Sequence, residues 1–345
     1  MTSVFVKKIL LLLFPLMVII GAVNYGVDPA SLFHSGEEAR MARVLLEGGQ
    51  VRIGSNFDER IFQRNFILNL KDPRDTVILG SSRSLGVDRT IVPSGSLFNS
   101  SVSGASLEDF LAVYGLYREC GKLPKTLILS LDPWLLNKNN GQVRYRSLYL
   151  EYARLIKLLD GGGRVPAMNP LYKMAELFSV TYFQNALKVG VRKLIARRGV
   201  GEVASGAQET GNSESVKMPD GSMSDTMFTA AQQAGQADEE AVKYASEKDV
   251  YSLARFFEMD PRLKNLFERF VARVRQDGVK VVFLFSPYHP LAYEKMAVRL
   301  DTRIILDCEK YFRDFAGRED ILVIGSYDPR RCGFVNSDFM DGMHL

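Results

Sequence analysis

The chain has 345 residues, of which 46% are hydrophobic and 24% charged, the composition of an ordinary globular protein with one principal domain. Its 44 Lys and Arg against 40 Asp and Glu leave a net charge of +4 without a dense basic run, which argues against nucleic acid as a partner. The three cysteines, Cys120, Cys308 and Cys332, form no C-x-x-C pair, and the sequence has no P-loop, so no metal site, nucleotide site or cofactor is predicted.

The N-terminal segment predicts a membrane anchor. Lys7 and Lys8 precede an uncharged apolar run over residues 9–23. This run is shorter than the ~20 residues that span a bilayer comfortably, so a cleaved signal peptide is the alternative. The small-residue pattern for cleavage is poor, and we therefore predict an uncleaved anchor over residues 1–27. The positive-inside rule then places the chain in the inner (cytoplasmic) membrane as a single-pass protein, with the rest of the chain on the periplasmic side.

Residues 28–75 are interpreted as a lead-in, with helical spacing over 37–48 and a mixed segment over 60–70. The main domain is predicted to occupy residues 76–345. It opens with the short apolar run Thr76-Val77-Ile78-Leu79, which ends in Gly80-Ser81-Ser82-Arg83-Ser84. An apolar run that ends in small residues predicts a strand followed by a turn.

A second unit repeats this pattern. Residues 96–99 lead into a small-residue turn that contains Gly104, and residues 107–120 have apolar side chains at helical spacing. Ser106, with an acidic residue three positions later, predicts the start of that helix. The continuous apolar run over 125–131 is typical of a strand buried on both faces, and Asp132-Pro133-Trp134 ends it.

The pattern weakens over residues 137–246, which we interpret as a helical and partly disordered insertion. Residues 145–159 and 171–198 have helical character, whereas 199–238 are rich in Gly, Ser, Ala and Gln. Pro219-Asp220-Gly221 predicts a turn within this stretch.

Regular alternation returns near the C-terminus, where the sequence predicts a helix over 260–276, a strand over 280–285, a helix over 291–315 and a strand over 321–324. Strands that alternate with helices predict an α/β domain with a three-layer parallel sheet covered on both faces. In such sheets the sites gather in loops beyond the carboxyl ends of the strands, where we place Ser82, Gly104, Asp132 and His289.

Three residues have the types that acyl transfer through serine requires. The chemistry needs a hydroxyl, a histidine that takes its proton, a carboxylate that orients the ring, and backbone N–H groups for the oxyanion. Ser82 provides the hydroxyl in a turn where its own N–H can face the site. Asp341 and His344, three residues apart, provide the other two side chains, and Gly104 provides a second turn in which an amide can approach a substrate.

These motifs together resemble the SGNH/GDSL hydrolase-like superfamily: Gly80-Ser81-Ser82-Arg83 early, Gly104 after the second strand, and Asp341-Gly342-Met343-His344 at the end. The turn is most similar to that of the membrane-anchored proteins of teichoic-acid D-alanyl transfer and of alginate and peptidoglycan O-acetylation. The resemblance implies a flavodoxin-like fold, with Ser82 as nucleophile, His344 as base, Asp341 as its orienting acid, and Ser82 and Gly104 as oxyanion donors. It also implies a membrane-bound O-acyltransferase partner and a cell-surface polymer as acceptor.

Four further residues are candidates for substrate binding: Arg83, Asp132, Trp134 and His289. Each has a structural alternative. Arg83 fits an ion pair better than an anion site, and a lone tryptophan after a buried strand fits the core. His289, between two prolines, is a reserve base or a loop residue. At Asp132 the resembled family has an asparagine.

The predicted function is a cell-envelope O-acyltransferase or esterase that works through an acyl-serine intermediate. The alternative is a non-catalytic membrane-anchored scaffold or binding protein with a degenerate fold of the same kind. Two features favour it: Asp132 stands where the resembled family has an asparagine, and the sequence ends one residue after His344. The distance between Ser82 and His344 discriminates between them, because only an enzyme needs hydrogen-bond contact.

Overall fold

The computed structural model describes residues 2–27, 36–53, 57–92, 94–161, 177–178, 183–184, 186–187, 215–225, 236–248 and 250–345, with side chains in the first range from residue 14. The chain divides into two compact units. One comprises Met1–Arg40, Ser55–Asp58 and Pro166–Asn212. The other comprises Met41–Gly54, Glu59–Val165 and Ser213–Leu345, and it contains every candidate site residue.

Eight strands are present among the described residues. They are β1 (Val51–Ile53), β2 (Thr76–Leu79), β3 (Leu97–Asn99), β4 (Thr126–Ser130), β5 (Ser215–Lys217), β6 (Met223–Asp225), β7 (Lys280–Phe285) and β8 (Leu322–Gly325). Five of them form a parallel sheet in the order β3-β2-β4-β7-β8. Counted along the chain this order is 2-1-3-4-5, that of flavodoxin-like sheets, in which the switch point lies beside the first strand. The predicted α/β class with a parallel sheet is confirmed.

The sheet core follows from the apolar runs that predicted it. All four residues of β2 are buried, as are the last five of β7. On one face Ile78, Ile128 and Val282 form a cluster, with the partly buried Val87 and Ile91 packed against it. Burial of such side chains on neighbouring strands holds the strand ends at one edge, which is where the candidate site residues follow.

Helices flank the sheet. The described helices are α1 (Thr2–Val27), α2 (Gly36–Leu46), α3 (Glu59–Asn69), α4 (Leu107–Glu119), α5 (Tyr149–Leu159), α6 (Gln236–Ser246), α7 (Pro261–Gln276), α8 (Pro290–Val298) and α9 (Ile304–Arg318). The predicted start of α4 is confirmed: the Ser106 hydroxyl accepts from the Asp109 amide, and the Asp109 carboxylate accepts from the Ser106 amide.

The single helix predicted over 291–315 is two helices. Helix α8 ends at Val298 and α9 begins at Ile304. The Thr302 hydroxyl donates to the Met296 carbonyl at 2.8 Å, and the Arg299 guanidinium pairs with Asp301. These side-chain bonds satisfy groups at the helix break, an alternative to continued helix that Thr and Asp offer readily.

The predicted disordered stretch contains an ordered β-hairpin. Strand β5 pairs with both β1 and β6, antiparallel in each case, and Pro219-Asp220-Gly221 forms the predicted turn between β5 and β6. Gly221 has φ +80°, and a Cβ there would lie 2.5 Å from the Asn99 carbonyl oxygen, so only glycine fits. Residues 162–176 and 188–214 of the predicted insertion lie outside the described residues.

The predicted anchor falls on α1. Within its unit, the Asn24 side-chain amide donates to the Leu177 carbonyl at 2.8 Å. Across the described residues, no helix combines the length and the apolar character that a membrane crossing requires. The side chains of residues 2–13 lie outside the described set, and the anchor over 1–27 stays a prediction.

Candidate active site

Ser82 sits directly beyond the carboxyl end of β2, at the switch point of the sheet. It is the first residue of a 3₁₀ turn, Ser82–Ser84, which the Ser81 hydroxyl caps by accepting from the Arg83 amide at 3.2 Å. A Cβ at Gly80 would collide with Ser84 Oγ and lie 2.7 Å from Ser130 Cβ, so glycine is required for the turn to leave the sheet here. Ser81, Arg83 and Ser84 are buried, and Ser82 alone in this turn keeps partial exposure.

Ser82, His344 and Asp341 form a continuous hydrogen-bonded line. His344 Nε2 lies 2.9 Å from Ser82 Oγ, and His344 Nδ1 lies 2.8 Å from Asp341 Oδ2. Both distances are within hydrogen-bond reach, so a base and its orienting carboxylate are in place at the hydroxyl. The sequence prediction grouped these three residues, and the structure brings them together.

The Asp341 carboxylate is held in its ionised form. Burial raises its pKa, but the hydrogen bond and charge of His344, together with the amides of Met343 and His344, outweigh burial and lower the pKa below the ordinary value of 3.8. Asp341 Oδ1 accepts from those two amides at 2.8 and 2.9 Å. One carboxylate therefore shapes the loop through one oxygen and orients the imidazole through the other.

Asp341 is expected to stabilise the protein in a pH-dependent way. Because its folded-state pKa is depressed, its contribution is complete above the ordinary value of 3.8 and is lost as the pH falls through the lower folded-state value. The difference in unfolding free energy between the wild type and Asp341→Asn, measured by urea denaturation, should shrink between about pH 5 and pH 2. A difference that stays constant across that range would contradict the depressed pKa.

The loop that carries His344 is fastened at several points. The Met340 amide donates to the His344 carbonyl at 2.9 Å, which closes the loop on itself. The His289 amide donates to the Gly342 carbonyl at 3.1 Å, and Arg83 Nε donates to the Met343 carbonyl at 3.2 Å. These contacts hold the loop, and with it the imidazole, against the rest of the site.

Gly342 packs directly on Tyr244 of α6, and a side chain has no room there. A Cβ at position 342 would lie 2.6 to 2.8 Å from Tyr244 carbon atoms. We expect Gly342→Ala to displace the Asp341–His344 loop and to destabilise the protein by about 1–3 kcal/mol, the usual cost of overpacking.

The matched control for this prediction is Gly317→Ala in α9, where a Cβ would meet nothing within 4 Å. That change should stabilise the protein by up to about 1 kcal/mol, because alanine is the better helix former. Thermal unfolding of both variants measures the two effects. Equal and small shifts at both positions would mean that the loop is not packed against Tyr244.

Arg83 and Asp132 form a buried ion pair at the base of the site. Arg83 Nη1 donates to Asp132 Oδ1 at 2.8 Å, and the two side chains are 0% and 2% exposed. Arg83 Nη2 donates to the Ser286 carbonyl, and the guanidinium carbon lies 3.9 Å from the centre of the Tyr288 ring. Burial raises the pKa of Asp132, an effect that the Arg83 charge opposes. The interpretation of Arg83 as an ion-pair residue is confirmed.

The candidates for substrate binding occupy the interior. Trp134 is fully buried, and its Nε1 donates to the Ala105 carbonyl at 3.0 Å, so it belongs to the core. His289 is also fully buried and caps α8 by accepting from the Leu291 amide. Arg83 and Asp132 are buried as well, and of the four residues Arg83 lines the cleft at Ser82. The predicted binding role stays a prediction.

The residues around Gly104 differ from those around Ser82. A Cβ there would meet Tyr251 Oη at 2.5 Å and Gln142 Oε1 at 2.7 Å, and Gly104 has φ +56°. It is not among the described residues that line the cleft at Ser82. Its role as an oxyanion donor stays a prediction without a contact behind it.

The Ser82 amide is better placed for that role. It has no hydrogen-bond acceptor in the described part of the chain, whereas the next amide, that of Arg83, is taken by Ser81 Oγ. An amide free at the first position of a turn can donate to an oxygen that forms beside the Ser82 hydroxyl.

An open cleft of about 1130 Å³ contains Ser82, Asp341 and His344. Its other walls come from the turn after β2, from the β5–β6 hairpin and from Met340. Sequence reasoning missed the hairpin as part of the site, because it fell in the stretch interpreted as an insertion. The Pro219-Asp220-Gly221 turn was the one local signal for it.

No protein-family model and no curated protein matches this sequence. The geometry alone therefore defines the kind of site: Ser82 contacts His344, and His344 contacts Asp341, at the switch point of a five-stranded parallel sheet.

Proposed function

We propose that this protein is a cell-envelope O-acyltransferase or esterase that acts through an acyl-Ser82 intermediate. The observation that carries the proposal is the hydrogen-bonded line from Ser82 Oγ to His344 Nε2 and from His344 Nδ1 to Asp341, with distances of 2.9 and 2.8 Å. The same arrangement of roles occurs on unrelated folds because the chemistry requires it.

In the first half of the reaction, Ser82 Oγ attacks the carbonyl carbon of an acyl donor while His344 Nε2 takes the hydroxyl proton. The oxygen of the tetrahedral intermediate accepts a hydrogen bond from the Ser82 amide. The intermediate collapses with cleavage of the bond to the leaving group, which receives the proton from His344. Asp341 stabilises the imidazolium that forms between these two proton transfers.

In the second half, an acceptor hydroxyl loses its proton to His344 and attacks the acyl-Ser82 carbonyl. Collapse of the second intermediate releases the new ester, and His344 returns its proton to Ser82 Oγ. A hydroxyl of a surface polysaccharide as acceptor makes the protein a transferase, and water makes it an esterase. Because each proton taken is given back, the cycle consumes no other reagent.

The sequence supports the envelope location and the partners. Lys7 and Lys8 before the apolar run of residues 9–23 favour a single-pass anchor with the main domain on the periplasmic side. The resemblance to the SGNH/GDSL hydrolase-like superfamily favours its three-layer form of the fold, a membrane-bound O-acyltransferase as donor and a cell-surface polymer as acceptor.

The separation of Ser82 and His344 also favours an enzyme over a non-catalytic scaffold. A scaffold has no reason to keep a nucleophile, a base and an orienting acid in contact, and loss of any of the three would cost it nothing in binding. The 2.9 Å contact between the hydroxyl and the imidazole is within the range that proton transfer needs.

Trapping the intermediate tests the proposal. The full chain is incubated with a p-nitrophenyl ester, quenched in acid and digested with a protease, and the masses of its peptides are measured by mass spectrometry. We expect the peptide that contains Ser82 to gain the mass of the acyl group less one hydrogen. Faster p-nitrophenol release when a soluble polysaccharide is added would favour transfer over hydrolysis. Ester cleavage with no acyl group on Ser82 would overturn the proposal.

A further inference from the structure

The cleft beside Ser82 has an apolar wall that the proton-transfer chemistry does not use. The wall comprises four apolar residues that line the cleft: Leu85, Met218, Met223 and Met340. The three methionines are half-buried, so each keeps surface that a ligand can cover. Methionine is flexible and polarizable, and it is common at surfaces that accept apolar groups of varied shape.

This wall is joined to the catalytic residues by backbone hydrogen bonds. Leu85 follows the 3₁₀ turn of Ser82, and its carbonyl accepts from the Met223 amide at 2.8 Å. On the other side, the Met340 amide donates to the His344 carbonyl at 2.9 Å. The wall therefore adjoins the nucleophile on one side and the base on the other.

The hairpin that carries Met218 and Met223 is held firmly. The Met218 and Ser222 backbones pair across its turn at 2.9 Å, and the Asn99 amide at the end of β3 donates to the Asp220 carbonyl at 2.7 Å. Side chains on a docked hairpin form a prepared surface, which binds a ligand without the cost of ordering a loop.

The size of the cleft exceeds what a two-carbon acyl group would use. Pockets for drug-sized ligands run from roughly 300 to 1,000 Å³, and this cleft has about 1130 Å³. An acetyl group fills only a small part of a cleft of this volume, whereas a longer aliphatic chain has more of the cleft lining to contact.

We infer that this wall binds the aliphatic chain of the acyl group, and that the enzyme takes acyl groups with longer aliphatic chains in preference to acetyl. The inference rests on the proposed function, because it assigns the acyl group of the acyl-Ser82 intermediate. The polar residues Asp88 and Arg89 of the same cleft remain for the alcohol part of the ester.

Ester hydrolysis as a function of chain length tests the assignment. With p-nitrophenyl acetate, butyrate, hexanoate and octanoate, kcat/KM should rise by about fourfold for each methylene that the wall buries, the effect of removing a CH₂ from water. Met223→Gln and Met340→Gln place a polar amide of similar size in the wall and should each lower the octanoate-to-acetate ratio by about tenfold.

Met259→Gln is the matched control, because Met259 is also half-buried but does not line the cleft. It should leave the chain-length profile unchanged. A wild-type profile that is flat, or that favours acetate, would overturn the inference, as would equal ratios in the cleft variants and the control.

A binding measurement separates this inference from the proposed function. A calorimetric titration of the Ser82→Ala variant with octanamide should show saturable binding. Addition of Met223→Gln to that variant should weaken the binding, and acetamide should show none. If octanamide binds in this way and no ester is cleaved at Ser82, the proposed function is wrong and the assignment of the wall as a chain-binding surface is retained. If esters are cleaved at Ser82 and octanamide does not bind, the assignment of the wall is wrong and the proposed function is retained.

Discussion

Replacement of Ser82 by alanine is expected to lower kcat/KM for ester cleavage by about 10⁴-fold or more. Removal of the hydroxyl leaves His344 without a proton to take and the acyl group without an oxygen to join. The remaining amide and cleft supply only residual catalysis, as in other serine enzymes that lose the nucleophile. Initial rates of p-nitrophenol release measure the loss, and labelling by a fluorescent fluorophosphonate should disappear with it.

Ser224→Ala is the control for this prediction. Ser224 is an exposed serine that lines the same cleft, so its loss removes a hydroxyl of the same kind without touching the imidazole. It should keep full labelling and most of the activity. Undiminished labelling of Ser82→Ala, with the adduct found on another serine, would exclude Ser82 as the nucleophile.

The central part of the site was predictable because each of its residues lies in a segment with a strong local signal. A fully apolar run ending in small residues gave the position of Ser82 at the end of a strand, and the parallel sheet determines that such ends share one edge. Asp341 and His344 were identifiable because the chain has only three histidines and because one short turn can present both side chains.

What the sequence left open depends on contacts between distant segments. Arg83 meets Asp132, 49 positions away, and the Met343 carbonyl, 260 positions away. No periodicity or motif encodes such pairs. For the same reason His289 could be placed in a loop but not assigned to the interior, because the elements that cover it are distant in the sequence.

The hairpin of β5 and β6 was missed for a different reason. Its strands have three residues each, too short for alternation to be read, and they lie in a stretch of small and polar residues. The two strands are held in place by the pairing of β5 with β1 and by the hydrogen bond from the Asn99 backbone amide to the Asp220 carbonyl in the turn. Tertiary contact here overrides a weak local preference.

Arg83 connects four separate segments of the site. It lies in the turn of Ser82, pairs with Asp132 after β4, donates to the Ser286 carbonyl after β7, and donates to the Met343 carbonyl next to His344. The planar guanidinium has five donors in fixed directions and can serve several acceptors at once, whereas a lysine ammonium has three donors without that fixed planar arrangement. The nucleophile and the base are thus positioned by one buried side chain.

Arg83→Met is therefore expected to destabilise the protein by about 3–5 kcal/mol, because it leaves the Asp132 carboxylate buried without its partner. The double variant Arg83→Met/Asp132→Leu should recover most of that stability, since an apolar pair of similar volume often replaces a buried ion pair without loss. Urea denaturation of both variants measures the two effects.

Measurement of activity in these variants distinguishes two roles of Arg83, neutralisation of the Asp132 charge and positioning of the His344 imidazole. In the double variant the Met343 carbonyl still lacks its donor, so the imidazole of His344 is held less firmly, and misplacement by about 1 Å can cost around 10²-fold in rate. We expect the double variant to be stable and to have a kcat about 10²-fold below the wild type, with KM little changed. Recovery of both stability and kcat would mean that Arg83 only neutralises Asp132. Loss of kcat with stability restored identifies Arg83 as the residue that positions the base against Ser82.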